Sequence, residues 1–360
     1  MNSIPGTASS FGYAVVIPTV GRPCLADCLD ALASSAGPEP REVVVVDDRR
    51  GPRHARPPLP LAALGTLRPR ASVLSSGGRG PAAARNTGRR AVDSPWVVFL
   101  DDDVLVGPAW RDDLAGDLLR AGPDVAGVQG VVEVPLPSGR RPTDWERNTA
   151  GLADARWATA DMAYRTAVLE AVGGFDERFP RAFREDADLA LRVLATGRRL
   201  ERGTRTTRHP VRPAGPWVSV RTQAGNADDA LMRRLHGPDW WERAGAPRGR
   251  LRGHAMVTAA GTLAAALALS GHPGAGAAAA VGWALGTAEF AWARIAPGPR
   301  TAPEVAAMLA TSAVIPPLAV CHRLRGTWRH RGVRPVRPAA GGPLVVPVPV
   351  RTAPRKGVRP

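Results

Sequence analysis

Residues 96–103 read Trp-Val-Val-Phe-Leu-Asp-Asp-Asp. A short run of β-branched and aromatic side chains passes directly into three carboxylates, the pattern of a strand buried on both faces whose end emerges at a polar rim. The same order of residues occurs upstream. Glu42–Val46 holds four consecutive valines and ends in Asp47-Asp48, and Tyr13–Ile17 is closed by Pro18 and Thr19. Helical stretches at Cys24–Ser35 and Pro81–Ala91, and a further short strand at Ala71–Ser75, separate these runs. Strands and helices alternating in this way predict βαβ units: an α/β chain on a mostly parallel, Rossmann-like sheet with flanking helices. Ligands of open α/β sheets bind beyond the carboxyl ends of the strands. That rule brings Thr19, Asp48 and the Asp101–Asp103 run to one rim.

Three adjacent carboxylates repel one another unless positive charge sits among them. A divalent cation bound through hard oxygens would relieve the repulsion and also hold a diphosphate; a polar strand-to-loop turn is the plainer alternative. Other phosphate-binding patterns fit worse. No G-x-x-x-x-G-K-[ST] motif exists, and the single lysine is Lys356. Gly78-Arg79-Gly80-Pro81-Ala82-Ala83 matches a dinucleotide fingerprint, but Pro81 lies in its loop and Asp101 has two acidic neighbours that a ribose contact does not need. Thr19-Val20-Gly21-Arg22 is a poor version of the basic glycine loop expected of a nucleotidyltransferase.

Further along, Val125–Val134 and Ala158–Tyr164 are strand-like, Arg165–Val172 and Glu185–Thr196 are helical, and residues 203–250 read as irregular and Arg-rich. Glu185-Asp186 opens an amphipathic helix. Acids in a first helical turn are favoured by the macrodipole, by about 0.3–1 kcal/mol. The functional alternative is a general base that accepts the proton of an attacking hydroxyl. His209, before Pro210, is a candidate further ligand for a metal or a phosphate, weighed against the commoner structural role of a lone histidine.

The formal charge is +16, and nearly all of the cations are arginine. That skew weakens the charge as an argument for nucleic acid, and no aromatic-interleaved basic motif or helix-turn-helix pattern supports one. Residues 321–360 carry nine Arg and Lys356 with no acid, which is +10 of the total and leaves +6 for the rest. This tail follows three apolar stretches: Ala255–Ser270, Ala275–Ala293 and Val305–Val320. A spanning helix needs about 20 apolar residues. The second stretch is long enough, with Glu289 inside its end; the first and third are marginal. A basic tail behind apolar helices suits an anionic membrane surface, at about 1 kcal/mol per well-placed charge. A solvated tail and a soluble helical bundle are the alternatives, and membrane association is favoured. Cys24, Cys28 and Cys321 are too few for a disulfide framework or a four-cysteine zinc site, which fits a reducing compartment.

Taken in order, Val16-Ile17-Pro18-Thr19, Val45-Val46-Asp47-Asp48, Ala84-Arg85-Asn86-x-Gly88, Phe99-Leu100-Asp101-Asp102-Asp103, Ala160–Arg165, Gly173-Gly174-Phe175-Asp176-Glu177 and Arg184-Glu185-Asp186 form a set. Each piece is weak alone; the series at compatible spacings resembles family 2 glycosyltransferases of the GT-A fold, over roughly residues 11–210. The resemblance implies a transfer of sugar from a nucleotide-diphospho-sugar donor to an acceptor hydroxyl, with inversion and with Mn²⁺ or Mg²⁺. It implies that Pro18, Thr19 and Asp48 hold the nucleotide, with Arg85, Asp101 and Asp102 near the donor. Asp101 and Asp103 correspond to the D-x-D motif, Asp103 being the direct metal ligand; His209 stays a further candidate from its own position in the sequence. Asp186 corresponds to the catalytic base, with Glu185 beside it. Asp161 and Trp157 would face the sugar or the acceptor, although the family usually has Asn where Asp161 stands. Trp157, Trp240 and Trp241 could instead pack, and packing is favoured.

Gln-x-x-Arg-Trp, the mark of processive synthases, is absent, so a single addition is expected. The acceptor is an unspecified sugar, lipid or small molecule. The organisation implied is a flexible leader over 1–10, a GT-A domain over 11–225 and a linker or helical segment over 226–254. Membrane-associated apolar helices over 255–322 and a disordered basic Pro-rich tail over 323–360 would follow. The site would work at the cytoplasmic face of the cell membrane, or in the cytoplasm. The competing activities are a nucleotidyltransferase on a similar sheet and a non-enzymatic nucleic-acid-binding protein.

Overall fold

The computed structural model describes residues 11–336; the leader expected over 1–10 and the last part of the expected tail, 337–360, lie outside the described residues. Eight strands form one sheet: β1 (Tyr13–Thr19), β2 (Glu42–Asp47), β3 (Ala71–Ser75), β4 (Trp96–Leu100), β5 (Leu105–Val106), β6 (Val125–Glu133), β7 (Asp161–Arg165) and β8 (Arg199–Arg208). Their spatial order is β3-β2-β1-β4-β7-β6-β8-β5. The first four strands are mutually parallel, as the alternation of strands and helices predicts. Beyond β4 the sheet is mixed. β7 runs antiparallel to both β4 and β6, β8 is parallel to β6, and β5 is antiparallel to β8. The sheet is thus mostly parallel, as expected, but not wholly so: the antiparallel pairings are those of β7 and β5. Helical crossovers force parallel pairing only in the first half.

Alternate residues of the parallel strands feed two cores. Val15, Ile17, Val43, Val45, Val98 and Leu100 pack with helices α1 (Cys24–Ser34) and α3 (Trp110–Arg120) on one face. Val16, Val44, Val46, Val97 and Phe99 pack on the other with α2 (Pro81–Arg89), α5 (Thr166–Ala171) and α6 (Glu185–Leu194). Burying a valine or leucine completely contributes about 1.5–3 kcal/mol, so the valine run of β2 is among the strongest determinants of the sheet. Between β6 and β7 lies α4 (Asp144–Ala150), closed at its start by a Thr143–Glu146 capping box.

The segment read as irregular is largely ordered. β8 carries four arginines yet pairs with β6 along its length, burying Leu200, Arg205 and Thr207. Then follow α7 (Val218–Arg221), α8 (Gly225–His236) and α9 (Trp240–Arg243). Leu231, Met232 and Leu235 of α8 and Trp240 of α9 pack with Ala187 and Leu191 of α6, so helices within the stretch read as a linker or helical segment form the wall behind α6. Trp240 is buried there and Trp241 partly so, which makes both packing residues. The chain ends in α10 (Leu251–Leu269), α11 (Pro273–Ile295) and α12 (Ala302–Arg329). α12 continues to Arg329, beyond the boundary expected at residue 322, and residues 331–336 return to α8 through Val336 N–H to Leu235 O at 2.9 Å. Among the described residues, α12 alone is long and apolar enough to cross a membrane.

Candidate active site

The carboxyl ends of β1, β2 and β3 enclose a cavity of about 470 Å³ lined by Val20, Asp48, Arg49, Arg50, Gly78, Arg79, Gly80, Pro81 and Pro180. Asp48 forms part of its wall. One Asp48 oxygen accepts from Ser76 Oγ at 2.6 Å and Arg79 N–H at 2.9 Å, and the other accepts from Gly80 N–H at 2.9 Å. The acid thus clamps the loop that starts α2. Gly80 is required there: its φ is 98°, and a Cβ would meet Pro180 O at 2.7 Å. Asp47, beside it, is held by Arg49 and Arg56. Burial pushes the Asp47 carboxyl up, but the hydrogen bonds from these arginines outweigh it and leave the pKa at about 2.

Pro18 sits opposite Val46 in the β1–β2 ladder, and Thr19 ends β1. Thr19 Oγ1 donates to Asp102 Oδ2 at 2.6 Å, and Arg22 Nη1 donates to Asp102 Oδ1 at 2.8 Å. Asp102 is buried with both oxygens engaged, so it braces the ends of β1 and β4.

Arg85, from α2, is fully buried. Its Nη2 lies 2.6 Å from Asp101 Oδ1 and its Nη1 lies 2.8 Å from Glu185 Oε1. A buried guanidinium is tolerable only when paired, and the two Nη atoms of this one join β4 to α6. Three acids, Asp101, Glu185 and Asp186, share the field of this single cation. Burial, with Asp186 adding to it and Arg85 opposing it, raises the Glu185 pKa to about 8. Glu185 Oε2 is buried without a hydrogen-bond partner. Asp186 is half-buried. Its Oδ1 accepts from Ala187 N–H at 2.7 Å, and burial raises its pKa too.

α6 starts from an unusual residue. Arg184 adopts φ 77°, left-handed for a side-chain-bearing residue, which costs roughly 1–3 kcal/mol. The conformation is held from outside: Arg184 Nε donates to Asp229 Oδ1 of α8 at 2.8 Å, and its guanidinium lies 4.8 Å from the Trp240 ring of α9. Thus the C-terminal helices aim the Glu185-Asp186 turn.

Asp103 faces the end of β8. His209 Nε2 lies 3.4 Å from its Oδ1 and Arg212 Nε lies 2.8 Å from its Oδ2. Burial raises the Asp103 pKa. His209 is buried, and its Nδ1 has no partner. Among the described residues no three His, Cys, Asp or Glu side chains form a ready metal cage. A cation that also binds substrate phosphates needs only one or two protein ligands, and Asp103 with His209 suits that arrangement. Asp101 is less suited, since Arg85 holds one of its oxygens. Arg212 was not anticipated from sequence: in an Arg-rich stretch no local signal distinguishes it, and only the β6–β8 pairing carries it to Asp103.

Asp161 and Trp157 do not join this rim. Asp161 is fully buried, and its oxygens accept from Arg205 Nε at 2.8 Å, Trp110 Nε1 at 2.7 Å and Thr207 Oγ1 at 2.6 Å. Asp161 and Arg205 thus form a core ion pair. Trp157 has φ 65°, donates its N–H to Gln129 Oε1 and packs partly buried on the second core.

Residues 14–184 match the model of the family described as glycosyl transferase family 2. A pre-mycofactocin glycosyltransferase of Mycobacterium tuberculosis is 33% identical over an alignment of 136 residues that covers 34% of this chain and 28% of that protein. The chain therefore spans less than a third of that relative. A mannosyltransferase from Pyrobaculum calidifontis, solved with GDP-Man and Mn²⁺, has a similar fold: TM-score 0.53, 22% identity, 89% of this chain and 88% of that one covered. Residues 14–184 thus carry the domain of glycosyl transferase family 2, and the fold is of the GT-A type.

Proposed function

We propose that the protein transfers one glycosyl group per encounter from a nucleotide-diphospho-sugar to an acceptor hydroxyl, with inversion. The observation that carries this reading is the Asp101–Arg85–Glu185 bridge, which ties the acid run after β4 to the acids that open α6. A donor diphosphate beside Asp103 would then lie within one buried guanidinium of a half-buried carboxylate. In this reading the cavity walled by Asp48 takes the nucleoside. Asp186 accepts the proton of the acceptor hydroxyl as that oxygen forms its bond to the anomeric carbon from the face opposite the leaving group. The bond from the anomeric carbon to the phosphate oxygen breaks, and its electron pair leaves on the nucleoside diphosphate. Stabilising that charge is usually the largest catalytic contribution. Asp103 and His209 would hold a divalent cation, which supplies positive charge to the leaving diphosphate. Arg212 is placed to add a second positive charge once a donor competes with Asp103 for it.

Glu185 positions the turn through Arg85. We assign the acceptor to no class finer than a hydroxyl-bearing sugar, lipid or small molecule. The protein is taken to work at a membrane surface, the cytoplasmic face being the expected side, because apolar helices follow directly on the domain. A thermal-shift panel of UDP-, GDP- and dTDP-sugars, with and without Mn²⁺, tests the reading, since a bound donor raises apparent stability by mass action. One nucleotide series should raise the melting temperature in a Mn²⁺-dependent way and should release nucleoside diphosphate on turnover. No shift with any donor in either condition would sink it.

A further inference from the structure

α10 and α11 pack as an antiparallel hairpin whose burial pattern is inverted. Small residues make the helix-to-helix contact: Gly276 lies against the backbone of Ala264 and Ala268, Gly261 against Trp283 and Gly286 against Val257. A Cβ at Gly286 would meet Val257 at 2.6 Å. The large apolar side chains point outward instead. Leu263, Leu285 and Leu269 are 53%, 66% and 91% exposed, and Met256, Val281 and Trp292 are exposed with them. A hairpin stabilised by water would bury these residues and expose the small ones. In lipid the order reverses, because acyl chains provide no drive to hide leucine and small residues let helix backbones approach.

Charge is confined to the base of the hairpin. No Asp, Glu, Lys or Arg lies between Ala255 and Ala288. At the base, Arg250 pairs with Glu289 at 2.5 Å, and the Arg300 guanidinium lies 5.7 Å from the Trp292 ring. Exposed tryptophan beside arginine suits the headgroup layer. The turn at the other end, Ser270–His272, is polar. From Ala255 to Leu269 the helix rises about 22 Å at ~1.5 Å per residue, against a hydrocarbon thickness of about 30 Å.

α12 behaves differently, although its composition is the most membrane-like. Ser312, Ile315, Pro316, Ala319 and Gly326 are buried, and Gly326 closes on Ala227 of α8. Thr311 and Ser312 accept from Arg294 at 2.8 and 3.0 Å. Arg294 also holds Asp144 of α4 at 2.8 Å.

We infer that the α10–α11 hairpin enters an anionic lipid bilayer tip first, past the midplane, while α12 stays outside as a strut between the hairpin base and α8. This rests on the membrane association proposed above. The test compares full-length Leu263→Arg/Leu285→Arg with Leu309→Arg/Leu324→Arg. The second pair changes leucines of α12 that are equally open to solvent. Each protein is mixed with phosphatidylcholine–phosphatidylglycerol vesicles and its floating fraction measured, with circular dichroism and melting as the check on folding. Leu269→Asp, at the exposed tip where no packing is lost, gives an independent variant. The hairpin pair and the tip variant should float about ten-fold less or worse, since a charge deep in a bilayer is costly; the α12 pair should change less than about two-fold. Undiminished flotation of the hairpin pair, or its loss in the α12 pair, overturns the inference. Failure of the unsubstituted protein to float overturns the membrane reading itself, and this inference with it.

Discussion

Asp161 and Glu185 are both buried carboxylates that face an arginine, yet their surroundings are opposite in kind. Around Asp161 every oxygen is matched: Arg205, Trp110 and Thr207 all donate to it, and Arg205 turns its other side to Asp117 and to Val128 O. Along the acids from Asp103 to Glu185 and Asp186 the matching is incomplete. One oxygen of Glu185, the Nδ1 of His209 and the hydroxyl of Tyr164 are buried without partners, and Glu185, Asp186 and Asp103 all have raised pKa values. Unmatched buried polar atoms cost about 1–3 kcal/mol each. A structural cluster therefore evolves toward full satisfaction, and a cluster that must receive a proton, a hydroxyl or a phosphate keeps some of its valence open. On that reasoning we propose the first cluster as structural and the second as the site.

Substitution at the two clusters should separate rate from stability. Asp186→Asn is expected to lower the transfer rate by about 10³-fold or more, measured by nucleoside diphosphate release. Its melting temperature and donor binding should stay near those of the parent. Retention of most of the rate would remove Asp186 from its role. Asp161→Ala should do the reverse. It leaves Arg205 and the Trp110 indole underpaired inside the core, and should cost about 3–5 kcal/mol in a urea titration. Activity per folded molecule should be little changed. A selective loss of rate in stable protein would put Asp161 back in the site.

pH dependence sharpens the contrast. An ordinary glutamate releases its proton near 4.5, whereas Glu185 in the fold holds it to about 8. Between those values the folded protein binds a proton that the unfolded chain has released. The contribution of Glu185 is thus fully present below the lower value, declines as pH rises, and is lost once pH passes about 8. Glu185→Gln should flatten that decline when unfolding midpoints are compared across the window. Asp117 should act with the opposite sign. Burial raises its pKa, but hydrogen bonds from Thr204 and Arg205 and the Arg205 charge more than offset this and hold it low. Its contribution is present above the usual carboxylate range and fades as pH falls through its folded value. The smallest effect is expected at Arg212, which is partly open to solvent. Arg212→Ala should weaken nucleoside diphosphate binding by roughly three- to five-fold, read by titration calorimetry, while leaving nucleoside monophosphate binding less affected. Equal loss for both nucleotides would place Arg212 away from the outer phosphate.

The parallel half of the sheet was legible because its signals are local. Val43–Val46 and Trp96–Leu100 admit few arrangements other than strands buried on both faces, and their terminal acids mark the rim. β8 was only partly legible: Arg-Leu-Glu-Arg-Gly-Thr-Arg-Thr-Thr-Arg has no apolar alternation, and its strand exists because β6 offers a partner and Asp161 and Asp117 neutralise Arg205. The candidate site divides in the same way. The residue types and order at Asp101–Asp103 and Glu185-Asp186 were visible. The partners that Arg85, Asp102 and Asp161 take were not, because a side chain's partner depends on residues tens of positions away.

Sequence alone thus determined which segments must be buried and which carry unpaired acidity, since hydrophobic periodicity and adjacent like charges act over a few residues. Tertiary structure alone decided which acid is neutralised, which keeps an open oxygen, and which apolar helix is covered by protein. Those outcomes depend on the distance between charges and on how much water is excluded around them, and only the folded chain sets both.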